Sequence, residues 1–247
     1  PIPENETMNM TPLTVASPSP TKNTQITSVQ KTRTSPKIKI RLSYSGMTAL
    51  LEWATVTPPV PRIGLRRLPF SQWAQASVWV YGDKNIQVQI GWRIYTGSSF
   101  SLEWEVVRVA SWMRVPSWDT TGKYNDNIFR GKLIVRNQSG SLMIVNELPV
   151  EDYLKWLGEV SNTDLEQKIK TILVSARTYA YYYMDRTHRK YGTLLYDGYD
   201  DPDSFQKYLG YGYEMRSPRV AQYADETFWQ VVKYQWELIK TWYFSSS

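Results

Sequence analysis

The sequence predicts an α+β fold: a β-rich body, then a two-helix segment that carries the candidate site, then a closing β-hairpin. Three observations predict it. Between residues 37 and 146, apolar and polar side chains alternate with a period of two, the signature of strands with one buried face. From Asn146 the apolar residues recur at helical spacing, twice in succession. Near the end, Val231-Val232 and Leu238-Ile239 flank a turn region.

The elements follow in order. Residues 1–36 are rich in Pro, Thr, Ser and Asn, as in Ser17-Pro18-Ser19-Pro20-Thr21. Such a stretch has too little apolar surface to offset its ordering entropy, so a disordered linker is expected, either a tether or a tail without a role. Residues 37–128 form the β-rich N-terminal region. Ile38, Ile40, Leu42 and Tyr44 alternate with Lys39, Arg41 and Ser43. Val78 and Val80, then Ile86, Val88 and Ile90, lie either side of the turn signal Gly82-Asp83. Leu102, Trp104 and Val106 mark another strand. Leu133 to Val135 and Leu142 to Ile144 flank Asn137-Gln138-Ser139-Gly140, a hairpin signal. The many aromatics of this region suit core packing, with sugar stacking as the alternative.

Pro149 fits the first turn of a helix. Val150, Tyr153, Leu154, Leu157 and Val160 then make a helical stripe, with Glu159 at its end. Thr163 and Glu166 fit a capping box. Leu165, Ile169, Ile172, Leu173, Ala176, Tyr179, Ala180 and Tyr183 form the apolar face of a longer helix. It is expected to reach about Arg189, where Arg186, Arg189 and Lys190 suit the negative helix end. Beyond Gly192 the chain is turn-rich and acidic, through Asp197, Asp200, Asp201 and Asp203.

Composition narrows the chemistry. The chain has 247 residues, no cysteine and one histidine, His188. Disulfides, thiolate nucleophiles and thiolate zinc sites are excluded, and any triad or histidine metal site would have to use His188. Carboxylate chemistry is the main option left, and no metal or cofactor is expected; His188 reads as a capping or surface residue. The net charge of +6 suits an anionic polymer such as nucleic acid, a membrane surface or an anionic cell wall. No dense basic run or nucleic-acid motif stands out, so nucleic acid is not an expected partner. No segment is apolar and long enough to span a bilayer, so any membrane link would run through an anchor outside this chain.

Glu159 sits among apolar neighbours at a predicted helix–helix junction. A carboxyl there would have a raised pKa, as a general acid needs near neutral pH. The alternative is an ordinary solvated glutamate.

The motifs add to this. Asn146-Glu147-Leu148-Pro149-Val150-Glu151-Asp152-Tyr153-Leu154, the run Ser175-Ala176-Arg177-Thr178-Tyr179-Ala180 after Ile169-Lys170, the set Asp203, Gln206, Tyr208 and Gly210, and the final Tyr243-Phe244-Ser245-Ser246-Ser247 resemble, in order, the signatures of the stage II sporulation protein D (SpoIID/LytB) family. Glu159 precedes Arg177 by 18 residues, the spacing the resemblance leads one to expect between an essential glutamate and an arginine. The resemblance covers about residues 129–247, while the first 128 carry no comparable signature.

The resemblance implies an exported lytic transglycosylase. Such an enzyme cuts the bond between N-acetylmuramic acid and N-acetylglucosamine without water. One glutamate acts as acid and then as base, leaving a 1,6-anhydromuramic end. Glu159 takes both roles. Arg177, Tyr179, Gln206, Tyr208 and Ser245 are the substrate-orienting candidates, with a purely structural role as the alternative for each. The implied partners are peptidoglycan glycan strands, with other cell-wall hydrolases as further candidates. The same family includes amidase enhancers that bind the wall without cutting it. A structural wall-associated domain is the third alternative.

The chain departs from the family pattern in places. The interval from Tyr153 to Glu159 is shorter than the commonest form by about two residues, roughly half a helical turn. Relatives continue beyond the equivalent of Ser247 into a Gly-rich segment, so a truncated core is expected. Trp156, Trp229 and Trp236 fall where the resemblance places glycine, as if the source reads UGA as glycine. Backbone with positive φ, or closely approached by a neighbour, is therefore expected at those positions.

Overall fold

The computed structural model describes residues 35–53, 62–63, 66–67, 75–113, 124 and 126–242. Nearly all of the predicted linker and the whole of the final Tyr243 to Ser247 motif, Ser245 included, lie outside the described residues.

Ten strands precede the first helix: β1 (Lys37–Arg41), β2 (Thr48–Trp53), β3 (Arg62–Ile63), β4 (Arg66–Arg67), β5 (Gln75–Tyr81), β6 (Asn85–Ile90), β7 (Arg93–Gly97), β8 (Ser99–Val109), β9 (Ile128–Gln138) and β10 (Ser141–Pro149). After them come α1 (Val150–Lys155), α2 (Glu166–Met184), β11 (Gly198–Tyr199), α3 (Tyr211–Arg216) and α4 (Pro218–Glu226). The small hairpin of β12 (Lys233–Tyr234) and β13 (Glu237–Leu238) follows. The fold is α+β, as the two periodicities predict.

The first eleven strands make one sheet in the order β11-β1-β10-β9-β8-β2-β5-β6-β7, with β3 pairing β8 and β4 attached to β3. β1 lies antiparallel to β10, with Ile40 opposite Asn146, and parallel to β11. β6 also meets β9, and β5 meets β10, so the sheet curls and encloses one face. Ile38, Ile40, Val78, Val88, Leu133, Val135 and Ile144 are buried there, which is why alternate residues of these strands are apolar. A bulge between Trp104 and Val107 breaks the period of β8, leaving Val106 and Val107 both buried. The β9–β10 connection is a two-residue turn with positive φ at Ser139 and Gly140, matching the hairpin signal.

The helices pack at the end of β10. A column of rings, Trp112, Phe129, Tyr208 and Tyr153, links the sheet to α1 with centroid spacings of 6.4, 6.2 and 5.3 Å. α2 buries Ile169, Leu173, Ala176, Tyr179, Ala180 and Tyr183, the stripe expected of it.

Several local expectations are corrected. α1 stops at Lys155, because the Trp156 and Leu157 amides bond to carbonyls three residues back and tighten the last turn. Glu159 therefore lies in the loop beyond α1, not on it. The capping box does not form: Thr163 pairs with Ser161, and the α2 N-cap is Leu165, which is exposed. α2 ends at Met184 rather than near Arg189. The turn-rich stretch holds two short helices, α3 and α4. Pro218 at the first turn of α4, with Val220, Tyr223 and Ala224 buried, was the readable signal for the second. His188 is exposed in the turn after α2, with its ring on Tyr182 at 4.2 Å.

Among the three suspect tryptophans, Trp229 has φ 64° and Trp236 φ 68°, whereas Trp156 has φ −110°. The left-handed region is strained for a bulky side chain. Gln235 (φ 48°) and Trp236 form the two-residue turn between β12 and β13, a geometry that favours glycine at the second position. The Trp236 ring is almost fully exposed, so it offsets little of that strain. Trp236→Gly is expected to raise stability by about 1 kcal/mol, read as a higher midpoint in thermal unfolding. Trp156 is different: its buried indole packs on Tyr208 and donates to Glu214 at 2.7 Å.

Candidate active site

A cleft of about 560 Å³ opens beside the loop that follows α1. Gly158 to Asn162 form one wall, Lys207 and Leu209 a second, and Tyr213, Arg216 and Ser217 a third. Tyr124, Asp164 and Lys168 complete the lining.

Glu159 reaches this cleft because its loop is pinned from both sides. Leu157 makes an antiparallel bridge with Tyr208. The Gly158 amide donates to the Lys207 carbonyl at 2.8 Å, and the Leu209 amide donates to the Trp156 carbonyl at 2.9 Å. The Lys207 amide then donates to Oε1 of Glu159 at 2.6 Å. On the far side, the Tyr213 hydroxyl donates to the Val160 carbonyl. The rest of the loop is held by Arg219, whose amide donates to Asn162 Oδ1 at 2.9 Å and whose guanidinium donates to the Asn162 carbonyl at 2.6 Å.

Glu159 is half-buried, and that burial pushes its carboxyl above the ordinary glutamate value. The Lys207 amide and the Lys207 charge pull the other way without cancelling the burial. The second carboxylate of the cleft behaves oppositely. The Ser161 amide, at 2.8 Å, and Lys168, at 2.9 Å, hold Asp164 below the usual range. Arg216 is bound to the buried Asp126 at 2.6 Å and lies over the rings of Tyr124 and Tyr213. The cleft thus joins one carboxyl raised above its ordinary value to one held below it, with three cations and two phenol rings.

The residues singled out from the sequence separate into groups. Glu159 lines the cleft. Arg177 is fully buried in a bidentate pair with Glu151, at 2.7 and 2.9 Å. Gln206 and Tyr208 are also buried: Gln206 accepts from Tyr153 at 2.7 Å, and Tyr208 donates to Asn146 at 2.6 Å. Tyr179 is buried against Phe205 and Tyr183 and accepts from Lys190 at 3.1 Å. Burial raises its phenol pKa, with neighbouring tyrosines and the Glu159 carboxylate adding to the rise, so it shares the electrostatic field of the site. None of these four lines the cleft. Lys168, Lys207, Arg216, Tyr213 and Asp164 do, and no motif pointed to them.

Residues 138–234 match the family described as "Stage II sporulation protein", SpoIID. That part of the chain is similar to the SpoIID domain. That is a family related to the cell wall, and the matched span contains Glu159, Arg177, Tyr179, Gln206 and Tyr208. A protein of Brachyspira hyodysenteriae, described as uncharacterized, is 32% identical over 120 residues. The match covers 48% of this chain and 31% of that protein, so the chain spans about a third of the curated relative it matches. No solved structure matches the chain. No helix among the described residues is long and apolar enough to cross a membrane.

Gly158 has little room beside Glu159. A Cβ there would lie 2.4 Å from Leu209 Cδ1 and 3.0 Å from its Cγ, and Leu209 is itself buried. Gly158→Ala is expected to cost about 1–3 kcal/mol of stability by overpacking, measurable by urea unfolding, and to displace the Glu159 loop.

Proposed function

We propose that the protein is an extracytoplasmic peptidoglycan lytic transglycosylase with Glu159 as its single acid–base residue. The observation that carries this reading is the setting of Glu159. Its carboxyl is half-buried in an open cleft, is raised by that burial above the ordinary glutamate value, and has Oε1 held by a backbone amide. A glycan strand laid in the cleft would receive that proton on the bridging oxygen between N-acetylmuramic acid and N-acetylglucosamine. The C1–O bond breaks, and the N-acetylglucosamine leaves with its hydroxyl restored. Positive charge develops at C1, and the new Glu159 carboxylate faces it. That carboxylate then takes the proton of the C6 hydroxyl as O6 closes on C1. Atoms balance without water, and Glu159 ends protonated as it began. General acid–base catalysis of this kind contributes about 10²–10⁴-fold.

Asp164 raises a two-carboxylate hydrolysis as the second reading, since acid and base of ordinary glycosidases sit in environments that separate their pKa values. Both oxygens of Asp164 are already occupied, Oδ2 by the Ser161 amide and Oδ1 by Lys168. A carboxylate so engaged is a poor base for water, which favours the single-glutamate reading.

Incubating the protein with purified glycan strands, both intact and stripped of peptides, followed by mass spectrometry of the products, tests the proposal. Anhydromuramic ends are expected. Ordinary reducing ends would point to Asp164 and hydrolysis. Strand binding without products would point to a wall-binding enhancer.

A further inference from the structure

Gln206 and Tyr208 are two motif residues that no step of the reaction uses. They flank Lys207 in an extended segment, so their side chains fall on one face and that of Lys207 on the other. The inward pair is clamped. Gln206 accepts from the Tyr153 hydroxyl of α1 at 2.7 Å and donates to the Ala176 carbonyl of α2 at 3.4 Å. The Tyr208 hydroxyl donates to Asn146 Oδ1 at 2.6 Å. Asn146 is fully buried on β10 and donates in turn to the carbonyls of Arg130 at 2.9 Å and Lys132 at 3.3 Å, on β9. Two sets of hydrogen bonds thus run to the residues either side of Lys207, one from α1 and α2 to Gln206 and one from β9 through β10 to Tyr208. The Lys207 peptide is what meets Glu159.

We propose that Gln206 and Tyr208 are positioning residues for Glu159: buried on either side of Lys207, they hold its amide against Oε1, so that the proton to be transferred sits on Oε2. This rests on the reading of Glu159 as the acid. The argument is geometric. A carboxyl with both oxygens free can rotate and offer its proton in several directions, whereas one with Oε1 engaged cannot. Reaction in a fixed geometry depends steeply on such placement, and a displacement of about 1 Å can cost 100-fold.

The charged and titratable groups facing Glu159 are Lys207 from the same segment and Tyr179 from α2, with Asp164, Lys168 and Arg216 lining the same cleft. Neither Tyr208→Phe nor Gln206→Met alters any of them. The amide of Lys207 lowers the Glu159 pKa, so slackening it should raise that pKa further. The test is the Glu159 carboxyl pKa, measured by NMR on protein labelled at glutamate carboxyls, with the signal assigned by its loss in Glu159→Gln. Tyr208→Phe and Gln206→Met are compared with wild type well below their melting temperatures. Glycan cleavage is followed against pH in parallel.

Each variant is expected to show a higher Glu159 pKa, an alkaline limb of the pH profile moved the same way, and a kcat lower by about 10–100-fold with KM retained. A purely structural role would lower the melting temperature and leave the Glu159 pKa in place, and that result in both variants overturns the proposal. If wild type cuts no glycan while the pKa still rises in the variants, the transglycosylase reading fails and the positioning stands.

Discussion

Arg177→Ala is expected to destabilise the protein by about 3–5 kcal/mol. Folded domains are held by only about 5–15 kcal/mol, so this single change should bring the domain close to unfolding near physiological temperature. The reason is what the guanidinium ties together. Its Nε and Nη2 meet both oxygens of Glu151 on α1, Nη1 donates to the Gln230 carbonyl at 3.1 Å, and Nη2 also reaches the Ala224 carbonyl at 3.3 Å on α4. Arg177 is wholly buried, and Glu151 is 5% exposed. Removing the arginine leaves a carboxylate inside with no counter-charge and two carbonyls without that donor. Arg177→Lys should recover only part of the loss, because an ammonium cannot reproduce the planar fork. The double variant Glu151→Met with Arg177→Met should be far more stable than either single one, since no uncompensated charge remains. Urea unfolding of wild type and these variants checks this. A single variant as stable as wild type would mean that the pair is not what joins α1, α2 and α4.

The second large effect falls on chemistry. Glu159→Gln should lower glycan cleavage by about 10²–10⁴-fold, since the amide keeps the shape and still accepts from the Lys207 amide but has no proton to give. The same substitution should raise stability at neutral pH. Burial lifts the folded Glu159 carboxyl above its ordinary value, so the unfolded chain loses this proton first as pH rises. The contribution of Glu159 to stability is therefore fully present below the unfolded value of about 4.3 and declines as pH rises through the folded one. The glutamine variant has no such decline. Its melting temperature should exceed that of wild type at pH 7 and converge with it near pH 3. Lost cleavage together with a raised melting temperature identifies Glu159 as a group held at a cost to stability for its chemistry. Lost cleavage with a lowered one would say that Glu159 supports the loop.

The motifs of the second half made Glu159 and its family legible, and the helical stripe of α2 was legible from spacing alone. The cleft was not. Its cations come from α2, from the segment before α3 and from α3 itself, and no local pattern links Lys168, Lys207 and Arg216. Arg177, Gln206 and Tyr208 were visible as motif members, but motif membership does not separate a side chain that touches a ligand from one that holds the scaffold. Burial decides that, and burial depends on what packs from elsewhere. The end of α1 was misread for a similar reason: Leu157 and Val160 continue an apolar stripe, yet Leu157 is drawn into a bridge with Tyr208, which lies far along the chain.

By itself, then, the sequence determined the α+β class, the strand and helix faces and the SpoIID motifs, and it marked three tryptophans as standing in for glycine, of which the backbone bears out Trp229 and Trp236 and not Trp156. Each of these is written in near-neighbour spacing, which local sterics and one-sided burial translate directly. Only the tertiary structure decided which way Glu159 faces, why its carboxyl lies above the ordinary glutamate value, and which motif residues support it. Those depend on desolvation and on hydrogen bonds between segments brought together by the curled sheet and the packing of α1, α2 and α4, and such contacts have no local signature to read.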